Sequence, residues 1–142
     1  MPSTIETAAQ RIAVALQALP GSNGVERDRE AALTREDCPL YLVERVDGTA
    51  RSFGGGGLRG EMDDWEFRVA VSAVVRGPNP QALADLLMTQ AHRTLTADFA
   101  LQSLVSGFRA DRREWLNADT DQACCFDTVI YRMRRATAAG EL

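Results

Sequence analysis

The sequence predicts an α+β protein in which a mixed, mostly antiparallel sheet of about four to six strands carries two main helices on it. Three observations lead there. Ile5, Ala8, Ala9, Ile12, Leu16 and Leu19 recur at helical intervals, and Leu83, Leu86, Leu87, Ala91, Thr94 and Leu95 form a second stripe of the same kind. Between them, Trp65, Phe67, Val69, Val71, Ala73 and Val75 alternate at period two, with Glu66, Arg68 and Ser72 opposite, which is the pattern of a half-buried strand. At 142 residues and 15.5 kDa, the chain has the size of a single domain, 1–142.

Ser3-Thr4-Ile5-Glu6 has the spacing of a capping box, so the first helix is expected from Thr4 to Leu19, ended by Pro20-Gly21-Ser22-Asn23-Gly24. Val25 to Leu33 alternates apolar or basic with acidic residues and reads as an exposed edge strand or a short helix. Leu40 to Val46 is β-branched and aromatic, followed by the turn signal Asp47-Gly48, and reads as a strand. Asp47 to Asp64, with four glycines at 54 to 57, is too poor in apolar residues for a core, so a mobile glycine-rich hairpin loop is expected, centred on 53–64.

Asn79-Pro80 supplies a cap and a first-turn proline for a second helix ending near Ala97. Phe99, Leu101, Leu104 and Val105 are expected to tuck an exit loop onto the core. Gly107 to Leu116 reads as a strand, Asn117 to Gln122 as a turn, and Cys124 to Arg134 as a last strand covered on both faces and therefore inside the sheet. The small-residue tail 136–142 is expected to fray.

Sixteen arginines and no lysine stand against 20 acidic residues, for a formal net charge of -4, which argues against a general nucleic-acid binder held by phosphate contacts. No run approaches the roughly 20 apolar residues that span a bilayer, and the N-terminus lacks a signal-peptide pattern, so a cytoplasmic location with no membrane partner is expected. Cys38, Cys124 and Cys125 form no paired framework and are expected as thiols.

The motifs that suggest chemistry are each incomplete. Gly55-Gly56-Gly57-Leu58-Arg59-Gly60 fits G-x-G-x-x-G, yet a strand rather than a helix follows, so no helix N-terminus is available to hold a pyrophosphate. Cys124-Cys125 alternate to opposite faces of a strand, and with only His92 beside them they do not make a four-ligand zinc site. His92 has no carboxylate one helical turn away to orient it for nucleophilic catalysis. Asp63-Asp64 reads either as solvated loop or as an electrostatic contact for a neighbour's arginines. Arg109, Arg112, Arg113, Arg132, Arg134 and Arg135 place forked donors on two adjacent strands. An acidic segment and a basic strand pair on one chain suit head-to-tail self-association into a ring. No catalytic, cofactor or metal residues are assigned. The assigned partner-interface residues are Phe53, Leu58, Arg59, Asp63, Asp64, Arg112, Arg113 and Arg134.

The element order, together with Trp65-Glu66-Phe67-Arg68-Val69-Ala70-Val71, Asn79-Pro80, Ala84-Asp85-Leu86, His92, Ala97-Asp98 with Leu101, and Val129-Ile130-Tyr131-Arg132, resembles the tail terminator (tail completion) proteins of long-tailed bacteriophages. That resemblance implies a non-enzymatic structural subunit without cofactors. It implies a ring, as a hexamer, that caps the tail tube, stops its polymerisation and offers a head-joining surface. The implied partners are copies of itself, the tail tube protein and a head-completion or connector protein, met in the host bacterial cytoplasm during assembly and kept in the virion tail. Where such proteins have a short linker after the middle helix, Phe99 to Val105 is apolar here. The alternative is a small anion-binding enzyme or ligand-binding domain with a cleft near His92.

Overall fold

A computed structural model describes residues 2–27, 37–53, 62–119 and 123–142. In chain order these form α1 (Thr4–Gln17), β1 (Val25–Arg27), β2 (Leu40–Phe53), β3 (Met62–Arg76), α2 (Pro80–Ala97), α3 (Phe99–Leu104), β4 (Ser106–Asp119) and β5 (Ala123–Ala138). The described strands make one five-stranded sheet in the order β1-β2-β3-β5-β4. The short β1 runs parallel to β2 and every other pairing is antiparallel. The fold is therefore α+β with a mixed, mostly antiparallel sheet.

Half of the expected capping box forms. Ser3 Oγ accepts from the Glu6 N–H at 3.2 Å, satisfying one orphan donor at the start of α1. The Glu6 carboxylate turns instead to the sheet, where Arg27 of β1 donates to it at 2.9 Å and Arg45 of β2 lies at 3.3 Å. Hydrogen bonding from Arg27 holds the Glu6 carboxyl below its ordinary range. α2 begins at Pro80, but Asn79 makes no side-chain cap. It adopts φ 52° and ψ 53°, a left-handed conformation that asparagine tolerates.

One face of the sheet carries the helices. Ala8, Ala9, Ile12 and Leu16 of α1 and Ala84, Leu87, Met88, Ala91 and Leu95 of α2 bury against Val43, Phe67, Val69, Val71, Tyr131 and Met133. The stripe of α2 is thus rotated from the expected one: Leu83 and Leu86 are exposed, because the small Ala84 and Ala91 face the sheet and bring the helix close. Gly48 serves the same end at α1, since a Cβ there would lie 2.9 Å from Ile5 Cδ1 and 3.2 Å from Phe67 Cβ. The segment expected as an exit loop is helical. Asp98 caps α3 by accepting from Leu101 N–H at 3.1 Å, and both its oxygens accept from Arg11 of α1 at 2.9 Å. Leu101 and Val105 are buried as expected, whereas Phe99 points to solvent.

Further expectations need correction. The loop expected over Asp47–Asp64 is strand at both of its described ends, with β2 continuing to Phe53 and β3 starting at Met62, in register from Asp47↔Arg68 to Phe53↔Met62. Leu58 and Arg59 lie outside the described residues. The tail expected to fray from 136 continues β5 to Ala138, paired with Met62, Asp63 and Asp64, and the Leu142 carbonyl accepts from Thr4 N–H at 3.0 Å. The backbone hydrogen bonds of these polar strands are made by each other, which is why they hold without an apolar face.

Candidate interaction surface

The face of the sheet away from the helices divides into two zones. Leu40, Leu42, Val74 and Cys124 gather with Cys38 into a small apolar cluster at one end. The other end is charged. Reading across the strands at one level, Asp47 of β2, Arg68 of β3, Arg132 of β5 and Arg109 of β4 stand in a row. One level nearer the apolar zone come Glu44, Ala70, Ile130 and Arg112.

Within the row, Asp47 accepts two hydrogen bonds from Arg68, one of them at 2.8 Å. Asp111 of β4 lies 3.6 Å from Arg68 and 4.0 Å from Arg132, and Arg132 also reaches Glu66 at 3.3 Å. The hydrogen bonds from Arg68 hold the Asp47 carboxyl below its ordinary range, and the same bonds raise Arg68. Screened by water, such exposed pairs fix side-chain positions more than they stabilise the fold. Glu44 and Arg109 make no ion pair among the described residues; Glu44 stands on β2 just past the last described pairing with β1, and Arg109 on the edge strand β4.

Of the described residues assigned to an interface from sequence, Phe53, Asp63, Asp64 and Arg134 share the distal end of β2, β3 and β5, while Arg112 and Arg113 lie on β4. Asp64 and Arg134 pair with each other across β3 and β5. Asp63 accepts from Ser52 at 3.4 Å, and Phe53 ends β2 with its ring half exposed. Arg112 forms an exposed pair with Glu114 at 2.7 Å. Arg113 faces the helices, where it donates to both oxygens of Asp127 at 2.9 and 2.7 Å and to Asp85 of α2 at 2.8 Å. Its guanidinium also lies 5.2 Å from the centre of the Trp115 ring. Asp127, only 1% exposed, was not singled out by sequence reasoning. Its signal was a carboxylate on the core-facing parity of Cys125, Val129 and Met133.

His92 lies on the exposed side of α2. Its Nδ1 is 2.9 Å from the hydroxyl of the buried Tyr131, and the two rings stack with centroids 5.7 Å apart. It borders a cleft of about 390 Å³ with Thr89, Arg93, Arg112 and Arg113, whose main guanidinium is already held by carboxylates. A second cleft of about 390 Å³ opens between Ile5 of α1 and Val46, Gly48 and Trp65 of the hairpin. Cys124 and Cys125 are buried on opposite faces, and burial pushes both thiols up, away from the thiolate form. Among the described residues no group of histidine, cysteine and carboxylates is placed to hold a metal, and no helix is long and apolar enough to cross a membrane. No protein-family model matches the chain, and no curated protein matches it either.

Proposed function

We propose that this chain is a structural subunit that works by assembling with copies of itself into a ring, and that the ring is the terminator of a long-tailed bacteriophage tail. In this reading the ring, a hexamer, seats on the finished tail tube, blocks further tube subunits and presents its other face to a head-completion protein. One observation carries the assembly part: among the described residues, the sheet has an open stretch of edge on each side. The described residues leave β2 without an outer partner beyond Val43 and leave the whole of β4 without one, over 14 residues. Open edges of that length are templates for another chain, and a protein that keeps them has a use for them. The tail-terminator part rests on the sequence resemblance. Added to polymerising tail tube protein, the purified chain should shorten and cap the tubes, with annular densities at their ends in electron micrographs. Tubes of unchanged length with bare ends would refute it.

A second reading is supported by the cleft beside His92, where Arg93 has no ion partner among the described residues and can receive a small anion. Calorimetric titration with small carboxylates and phosphates separates the two readings. Saturable binding abolished by Arg93→Ala, in a chain that stays monomeric, favours the cleft over the ring.

A further inference from the structure

Among the described residues the two open edges match each other, and we infer that the ring joint is made by the edge of β2 on one copy, Glu44 to Asp47, docking on the Arg109–Arg112 stretch of β4 on the next. This rests on the ring reading and gives it a contact. Direction comes first. β2, β3, β5 and β4 are successively antiparallel, so β4 runs opposite to β2. A second copy in the same orientation, as cyclic symmetry about an axis along the strands requires, therefore brings its β2 antiparallel to β4, the arrangement that continues the sheet.

Level and spacing come next. A closed ring permits no axial step between copies, so residues at one level of the sheet meet across the joint. At the levels already described, Asp47 of one copy meets Arg109 of the next, and Glu44 meets Arg112. Each pair joins a carboxylate to a guanidinium. In each strand the two charges are three residues apart, a spacing that would put them on opposite faces of a regular strand. Both strands carry a register shift at this place, between Arg45 and Asp47 in β2 and between Ala110 and Arg112 in β4, and the extra residue returns both charges to the helix-free face. β4 carries a second shift, between Ser106 and Arg109, so the two edges match over the levels of Asp47 and Glu44, where one irregularity in each strand stands at equal height, and diverge beyond Arg109. The outer limit of the joint is set by β1, which occupies the edge of β2 at Tyr41–Val43. Because the partners are different surfaces, the contact is heterologous, the kind that makes a ring where its rotation closes, and not a two-fold dimer.

Directly opposed residues of antiparallel strands have Cα atoms about 4.5 to 5.5 Å apart, within the reach of a disulfide. The test uses Glu44→Cys and Arg112→Cys, with the three native cysteines buried. Mild oxidation of a mixture of the two single variants should give a cross-linked dimer, while neither alone should. The double variant should give a ladder on denaturing gels that ends at the closed ring. Equal cross-linking of either single variant alone would show a two-fold contact and overturn the joint. So would a double variant that light scattering shows as a ring but that does not cross-link, in which case the ring stands and its contact lies elsewhere. A parent chain that is monomeric at every concentration and on tube ends overturns the joint together with the ring.

Discussion

Tyr41 and Tyr131 are the largest side chains wholly buried in the helix-facing core, and each spends its hydroxyl differently. Tyr41 donates to the Leu87 carbonyl of α2 at 2.7 Å, while Tyr131 meets His92 Nδ1. Burial pushes the Tyr41 phenol up to about 12 and raises Tyr131 as well. A folded-state pKa above the unfolded value of about 10 means that the unfolded chain loses the proton first as pH rises. The stability these phenols contribute is complete below about pH 10 and is lost as pH climbs toward the folded value. The buried Cys124 and Cys125 thiols, also raised, begin the same decline nearer their lower unfolded value. Urea midpoints measured from pH 8 upward should therefore fall in two stages. Tyr41→Phe should cost about 1 kcal/mol at neutral pH from the lost hydrogen bond and flatten the later stage. Wild-type and variant curves that stay parallel through that range would contradict the assignment.

Arg113 ties three elements together, since it projects from β4 to the Asp127 carboxylate on β5 and to Asp85 on α2. Arg113→Ala leaves Asp127 buried without its counter-ion, and removal of one partner of such a pair should cost about 3 kcal/mol, read as a fall in the unfolding midpoint. An unchanged midpoint would mean that water reaches Asp127 and that the clamp is incidental. The contrast between legible and illegible elements has the same physical basis. α1, α2 and the inner part of β3 were readable because one face of each meets the core, so burial wrote a period into residues such as Ile12, Leu87 and Val71. The distal hairpin was not, because beyond the contact of Gly48 with Ile5, Asp47 to Phe53 and Met62 to Asp64 bury no apolar side chain in the core. Their strands are held by backbone pairing, along which ion pairs such as Asp47 with Arg68 and Asp64 with Arg134 fix the side chains. Polarity there reads as loop in the sequence. The strand arginines show the converse: sequence gives their charge, but only the structure shows that Arg134, assigned to a neighbour, is paired at home with Asp64, while Arg109, not so assigned, has no ion pair among the described residues.

At the scale of the assembly, two electrostatic effects oppose each other and salt separates them. Each copy carries a formal charge of -4, so neighbours repel over distances beyond contact. The proposed joint attracts through carboxylate and guanidinium pairs within a few ångströms. At low ionic strength the Debye length is about 30 Å at 0.01 M, long enough for whole copies to repel, and at 0.15 M it is about 8 Å, short enough to quench that repulsion while leaving contact pairs largely intact. Near 1 M it is about 3 Å, and the pairs themselves are screened. Association followed by sedimentation velocity should therefore strengthen from 0.01 to about 0.15 M salt and weaken again toward 1 M. An apolar joint through the exposed Trp115 and Leu116 of β4, 61% and 63% exposed, would instead strengthen throughout, because salting-out favours apolar burial while repulsion fades. A monotonic rise would move the joint to that far half of β4. A maximum that disappears in Glu44→Gln would fix it at the charged rows, where the opposed edges carry opposite signs.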